Sequence, residues 1–174
     1  MALLMPTAAV DRVTDITSNL LHTLSVETVL IDVDNTLALR GSQEPLPGTV
    51  EWSWNIRRAG FQLAIMSNNF AKRVGPFAAK YELPFLSLCM KPLPYAYHRA
   101  VRGFGTSCQK AVVVGDQVFT DILGANLVRM KSILLTPIEE ESSLSFRVRR
   151  CLEKPVREKM KSQPIDKRIH HKEE

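Results

Sequence analysis

Five short runs of apolar and β-branched residues recur along the chain: "TVLI" at 28–31, "FQLAIM" at 61–66, "PFLSLC" at 84–89, "AVVV" at 111–114 and "SILL" at 132–135. They are continuous rather than alternating, the pattern of strands buried on both faces of a parallel sheet. Between them lie "GTVEWSWNIRRAG", "AKRVGPFAAKY", "LPYAYHRAVRGFG" and "TDILGANLVRM", which have helical character. Repeated strand and helix predict an α/β domain of βαβ units with right-handed crossovers. Pro76 predicts a late start or a kink in the second helical segment. A further helix is expected before the first strand, with Val13, Ile16, Leu20, Leu21 and Leu24 facing the sheet and Asp15 or Thr17 as N-cap. Trp52 and Trp54 fall on an amphipathic helix and are expected to pack.

The 174 residues suffice for one compact domain and are short for two. A single domain over 1–174 is expected, with its core at about 10–140 and a helical tail at about 143–174. Hydrophobic residues make up 45% and charged residues 24%, which excludes wholesale disorder. No apolar run approaches the roughly 20 residues of a membrane-spanning helix. The opening "MALLMPTAAVDRV" has no basic start and too short an apolar stretch for a signal peptide, so a cytoplasmic protein is expected. Cys89, Cys108 and Cys151 lack metal-like spacing and read as plain thiols, and the four histidines form no zinc pattern. Charge is uneven: residues 1–146 hold 13 bases and 13 acids, and residues 147–174 hold 10 bases and 5 acids. The whole surplus of +5 therefore sits in the tail.

Every polar cluster follows a strand. "DVDNT" (32–36) follows the first, "SNN" (67–69) the second, "KP" (91–92) the third and "GDQVFTD" (115–121) the fourth. In an open parallel sheet, ligands bind where the carboxyl ends of the strands meet the helix N-termini. Four segments thus bring carboxylates, a hydroxyl, an amide and a lysine to one edge, the composition of a site for a divalent metal and a phosphoryl group. An ionised Asp32 is able to attack phosphorus. Oxygen ligands from Asp32 and Asp116 suit Mg²⁺. Ser67 can donate to a phosphoryl oxygen and Lys91 can neutralise its charge. Asp34, held protonated beside another acid, could supply a proton to the leaving oxygen. A calcium loop fails, because Leu37 and Gln43 occupy positions that require Gly and Glu. Asp121 has a second reading as a helix cap, and Asn35 and Asn69 are candidate donors behind the site, while Gln117 and Asn126 have no assigned role.

These four clusters resemble, in order and spacing, the four motifs of haloacid dehalogenase superfamily phosphatases. The finer pattern "DNTL", "MSNN", "KP" and "VGDQVFTDILGAN", with "VTDIT" upstream, resembles the YqeG-type subfamily IIIA phosphatases over about residues 10–155. Relatives of that type include phosphatidylglycerophosphate phosphatases. The resemblance implies a Rossmannoid three-layer α/β/α fold and a Mg²⁺-dependent phosphoric monoester hydrolase. Asp32 would be the nucleophile that forms an aspartyl-phosphate, and Asp34 the general acid and then base. Ser67, Asn68 and Lys91 would bind phosphate. Mg²⁺ would be held by Asp32, the backbone carbonyl of Asp34 and Asp116, with Asp121 in support.

Many relatives cover their active site with an inserted cap domain. Here 32 residues lie between Asp34 and Ser67 and 23 between Ser67 and Lys91, so no cap is expected. An open site suits a phosphate presented on a large surface, and phosphatidylglycerophosphate is the substrate expected from the resemblance. The tail "SFRVRRCLEKPVREKMK" (145–161) carries seven bases, two acids and Phe146, Val148, Leu152, Val156 and Met160. It reads as an interfacial helix drawn to anionic lipid at the inner membrane face, or as a solvated helix packed on the domain, with Pro155 interrupting it. The alternatives are a phosphatase for a soluble sugar phosphate or nucleotide, and a non-catalytic RNA- or protein-binding module. No RNA-binding motif is visible, so nucleic acid is not an expected partner. Oligomeric state has no sequence signal.

Overall fold

The computed structural model describes residues 2–139 and 144–161, with the side chains of residues 2, 144–150 and 161 outside the description. Six parallel strands form one sheet in the order β1-β6-β5-β2-β3-β4. They are β1 (Ala8–Val10), β2 (Thr28–Ile31), β3 (Gln62–Met66), β4 (Phe85–Leu86), β5 (Ala111–Gly115) and β6 (Lys131–Leu135). The helices are α1 (Ser18–Thr23), α2 (Thr49–Arg58), α3 (Ala71–Ala79), α4 (Pro94–Gly103), α5 (Leu123–Leu127) and α6 (Leu144–Lys161). Strand β2 lies between β3 and β5, pairing Thr28 with Gln62 and Ala111, and all four of its residues are buried.

Side chains alternate across a strand, so β2 feeds two cores. Val29 and Ile31 pack with Trp52, Ile56, Phe77 and Tyr81 of the α2 and α3 side. Leu30 joins Met66, Val113, Tyr97, Ala100 and Ala125 on the α4 and α5 side. This is the expected three-layer α/β/α arrangement. Between Asp34 and Ser67 lie α2 and β3, and between Ser67 and Lys91 lie α3 and β4, with no further domain at either position.

Several local expectations need correction. Strand β1 pairs with β6 through Ala8 and Ile133, so the sheet begins two residues before the expected core. The expected leading helix is split: a 3-10 turn covers Val13–Asp15, and α1 starts only at Ser18. Thr17 is the N-cap of α1, its Oγ1 accepting from Leu20 N at 3.2 Å, whereas Asp15 is not an N-cap: it ends the 3-10 turn, and its Oδ2 reaches back to accept from Arg12 N at 2.8 Å. Helix α3 starts at Ala71, well before Pro76, and α6 runs through Pro155 without a break. Trp52 is buried and donates to the Ile16 carbonyl at 2.8 Å, whereas Trp54 is exposed and does not pack. The run at 84–89 yields only Phe85–Leu86 as strand, because the chain leaves the sheet and turns left-handed at Leu88 and again at Met90.

The tail helix is docked on the body. Val156 and Met160 are buried, Leu152 is exposed, and Val156 joins Val118, Ile122 and Leu134 in a third small core. The side chains of Phe146 and Val148 and all of residues 162–174 lie outside the described residues. No helix among the described residues is long and apolar enough to cross a membrane.

Candidate active site

The carboxyl edge of the sheet is built from four strand ends. Asp32 continues the β2 ladder by donating its N–H to the Val114 carbonyl at 2.9 Å, which fixes its side chain at the floor. The chain then turns back on itself. Leu37 and Ala38 both donate to the Val33 carbonyl, with Asn35 left-handed at φ 57°, a conformation that Asn tolerates. Ser67 extends β3 by donating to the Leu86 carbonyl at 2.9 Å, and its residue is 1% exposed.

Lys91 enters from the loop after β4, and the Lys91–Pro92 peptide is cis. Asn68 fixes its main chain: Oδ1 accepts from Lys91 N at 2.7 Å and Nδ2 donates to the Lys91 carbonyl at 3.2 Å. Both polar atoms of the Asn68 side chain are therefore engaged with the Lys91 main chain, which they position. Lys91 Nζ lies 2.7 Å from Asp32 Oδ1 and 2.6 Å from Asp121 Oδ1, with only 3% of its side chain exposed.

Asp116 precedes a π-helical turn at Val118–Ile122 and Asp121 lies within it, and both are fully buried. Asp121 does not cap the helix from outside. It sits within the turn, and its Oδ2 accepts from Gln117 N at 3.2 Å. Gly115 explains how this carboxylate fits, since a Cβ there would collide with Asp121. One oxygen each from Asp32, Asp116 and Asp121 lie within 4.8 Å of one another. Three buried carboxylates against one lysine leave a negative excess in a region shielded from water. Their hard oxygens fit a divalent cation such as Mg²⁺ or Mn²⁺.

Burial pushes the Asp32 carboxyl up to about 6 against the pull of Lys91, and Asp121 and Asp34 add to the rise. Burial likewise raises Asp121, again opposed by Lys91. For Lys91, burial favours the neutral form, but Asp121 and Asp32 outweigh it and hold the ammonium protonated far above its ordinary range.

Asp34 lies outside the three-carboxylate group. Its Oδ1 accepts from Arg73 at 2.6 Å and from Gly41 N at 3.0 Å, and its Oδ2 accepts from Asn69 Nδ2 at 2.9 Å. Three donors thus surround the Asp34 carboxyl, and the acid nearest it in chain and charge is Asp32. Asn69 also donates to Ser67 Oγ through its main-chain N–H, at 3.2 Å, and ties the hydroxyl to the general-acid candidate. The pocket between these groups measures about 170 Å³. Asp32 and Lys91 form its floor, and Asp34, Arg40, Gln117 and Thr120 are among its walls.

Some contributors were not visible as motifs. Arg73 sits in the first turn of α3, and its link to Asp34 spans 39 positions. From α6, Glu153 Oε1 accepts from Val118 N at 2.9 Å, and Arg157 donates to the carbonyls of Asp116 and Leu135. The tail helix thus braces the loop that carries Asp116. Asn35, expected behind the site, faces elsewhere. Its side chain has no hydrogen-bond partner among the described residues, and it lines a separate cavity of about 100 Å³ with Arg12 and Thr36. Asn126 is structural, donating to the carbonyls of Leu3 and Met5.

Residues 18–128 match the haloacid dehalogenase-like hydrolase family. The chain is 31% identical over 152 residues to the probable phosphatase YqeG of Bacillus subtilis, covering 87% of this chain and 88% of that one. Among solved structures, NagD of E. coli K-12 superposes with a TM-score of 0.55 at 14% identity, covering 70% of this chain and 91% of that chain. The cobalt-bound deoxy-D-mannose-octulosonate 8-phosphate phosphatase YrbI of Haemophilus influenzae superposes with a TM-score of 0.50 at 14% identity, covering 82% and 96%. A family match across most of the chain, on a parallel sheet whose carboxyl edge gathers Asp32, Ser67, Lys91 and Asp116, settles the assignment: the chain belongs to the haloacid dehalogenase-like hydrolases.

Proposed function

We propose that this hydrolase is a Mg²⁺-dependent phosphatase that cleaves a phosphomonoester through an aspartyl-phosphate on Asp32, and that its substrate is a phospholipid carrying a terminal phosphate, best represented by phosphatidylglycerophosphate. The observation that carries the chemistry is the floor of the pocket. The Asp32 carboxylate stands there beside Lys91 Nζ at 2.7 Å, with one oxygen each of Asp116 and Asp121 within 4.8 Å.

Asp32 attacks phosphorus, and the bond to the leaving alcohol breaks. Asp34 gives its proton to the departing oxygen and later takes one from the water that attacks the aspartyl-phosphate, releasing inorganic phosphate and restoring Asp32. Ser67 and Lys91 hold phosphoryl oxygens throughout, and Asn69 and Arg73 orient Asp34. A bound divalent ion, held by Asp32, the Asp34 carbonyl and Asp116, with Asp121 behind them, would neutralise the charge gathered on the phosphoryl group.

The lipid reading is supported by the shape of the entrance. A pocket of about 170 Å³ with no cap over it accepts a phosphoryl group and leaves the remainder of the substrate outside. The test is inorganic phosphate release from phosphatidylglycerophosphate in mixed micelles with Mg²⁺, comparing wild type with Asp32→Asn. Turnover that the substitution abolishes is expected. Hydrolysis of an aryl phosphate without hydrolysis of the lipid would keep the chemistry and overturn the substrate.

A further inference from the structure

Helix α6 divides its charges between two surfaces. Lys154, Glu158 and Lys159 are exposed, whereas Glu153 and Arg157, one turn apart, face the body with 2% and 17% of their side chains exposed. Apolar packing already docks this helix, because Val156 meets Val118, Ile122 and Leu134, and Met160 is buried. Burying a carboxylate and a guanidinium beside that contact costs desolvation that an ion pair at best returns. What the pair touches accounts for its place.

Its partners are main-chain groups at the carboxyl edge of the sheet. Glu153 Oε1 accepts from Val118 N at 2.9 Å, and its Oε2 accepts from Arg157 Nη2 at 2.9 Å and Nε at 3.2 Å. Arg157 Nη2 also donates to the Asp116 carbonyl, and Nη1 donates to the Leu135 carbonyl at 3.1 Å. One guanidinium thus spans the ends of β5 and β6, and the two side chains hold the residues on either side of Gln117. The Gln117 carbonyl accepts from Asp121 N at 3.0 Å, so the π-helical turn that carries Asp121 hangs from the segment held by α6. A planar fork with several donors makes these contacts together, which a lysine cannot.

That segment needs an anchor. Carboxylate oxygens of Asp32, Asp116 and Asp121 lie within 4.8 Å of one another, and like charges so close in a buried site push their loops apart. Asp32 is anchored by the β2 ladder, through its N–H to the Val114 carbonyl. Asp116 stands beyond Gly115, where β5 ends, and α6 holds its carbonyl there. Groups that orient the ligands of an ion govern its affinity although they never touch it.

We propose that Glu153 and Arg157 are positioning residues for the divalent-ion site: the pair fixes the main chain of Asp116 and Val118 so that the Asp116 and Asp121 carboxylates take the ion together with Asp32. This rests on the reading that these carboxylates hold the ion, and it adds to that reading a distant helix on which affinity depends.

The probe is Mn²⁺ alone, added to the metal-free full chain, with the free ion counted by electron paramagnetic resonance and the melting temperature read in parallel. Glu153→Gln with Arg157→Met removes both charges at once. Local net charge is therefore unchanged, no charged partner is left buried alone, and Gln keeps an oxygen for Val118 N. This double variant is expected to bind Mn²⁺ about tenfold or more weakly, with little change in melting temperature. Arg157→Lys, which keeps the cation beside Glu153 but lacks the fork, is expected to bind less tightly than wild type. Val156→Ala loosens the apolar contact of the same helix and leaves the pair in place, so it is expected to melt lower and to bind Mn²⁺ as wild type does. Wild-type affinity in either Arg157 variant overturns the positioning and leaves the ion site standing. A loss in Val156→Ala equal to that of the double variant also overturns it, since the helix would then act through stability alone. If wild type takes up no Mn²⁺, or Asp116→Asn takes up as much as wild type, the reading of the ion site falls and the positioning falls with it.

Discussion

Asp32 and Asp34 stand two positions apart in one loop and occupy opposite settings. Asp32 is 6% exposed, shares Lys91 with Asp121, and has its carboxyl raised to about 6 by burial. Asp34 reaches the mouth, where Arg73, Asn69 and Gly41 donate to it, and its partner Arg73 has 31% of its side chain exposed. The floor keeps charges from water and depends on mutual neutralisation, because an unpaired charge there costs far more than a pair returns. The mouth is wet, its ion pair is screened, and its groups can exchange partners when substrate arrives. For the proposed mechanism, one turn of chain thus supplies a fixed nucleophile and a movable acid.

The contrast is broken most severely at the floor. Asp32→Asn keeps the size of the side chain and removes the attacking charge, so phosphate release from an aryl phosphate is expected to fall about a thousandfold or more. Lys91→Met leaves the buried carboxylates without their cation. Urea unfolding of the metal-free protein should show about 3–5 kcal/mol of lost stability, and added Mg²⁺ should recover part of it. Gly115→Ala drives a Cβ into Asp121. It is expected to cost about 1–3 kcal/mol and to raise the Mg²⁺ concentration needed for half-maximal activity.

pH sharpens the same contrast. The Asp32 carboxyl rises from 3.8 to about 6 on folding, so the folded state favours its protonated form. The corresponding stability is fully present below the unfolded value and is lost as pH rises through about 6. In metal-free protein, Asp32→Asn should therefore gain melting temperature relative to wild type between pH 4 and pH 7, and Mg²⁺ should reduce that gain. The smallest effect belongs to the mouth. Arg73→Gln is expected to change stability by less than about 1 kcal/mol in the urea experiment that exposes Lys91→Met.

Legibility in the sequence followed burial. Strands β2, β3, β5 and β6 are covered on both faces, and this shows as unbroken apolar runs. The short Ala8–Val10 edge strand has no such run. Strand β4 stops at Leu86 because Leu88 and Met90 turn outward, which hydrophobicity alone reads as more strand. Among the site residues, Asp32, Ser67, Lys91, Asp116 and Asp121 announced themselves by following strands, since topology carries every such position to one edge. The groups that tune the site are long-range and belong to helices: Arg73 on α3, and Glu153 and Arg157 on α6. A base in a helical first turn and two charges in a basic tail look like solvated surface until the fold places them. Gly115 left a weak trace, a glycine closing a buried strand directly before an aspartate.

The most direct test of the central claim is to look for phosphate on Asp32. In the proposed mechanism the Asp34→Asn variant lacks the general base for the second step, so it should accumulate the intermediate. Mixed with a ³²P-labelled aryl phosphate and Mg²⁺, quenched in acid and digested, it is expected to carry label on the peptide that contains Asp32. The label should be lost under alkaline hydroxylamine and be absent from the variant that also carries Asp32→Asn. Brisk phosphate release by wild type with no label on that peptide, or label that survives Asp32→Asn, would contradict the assignment of Asp32 as nucleophile.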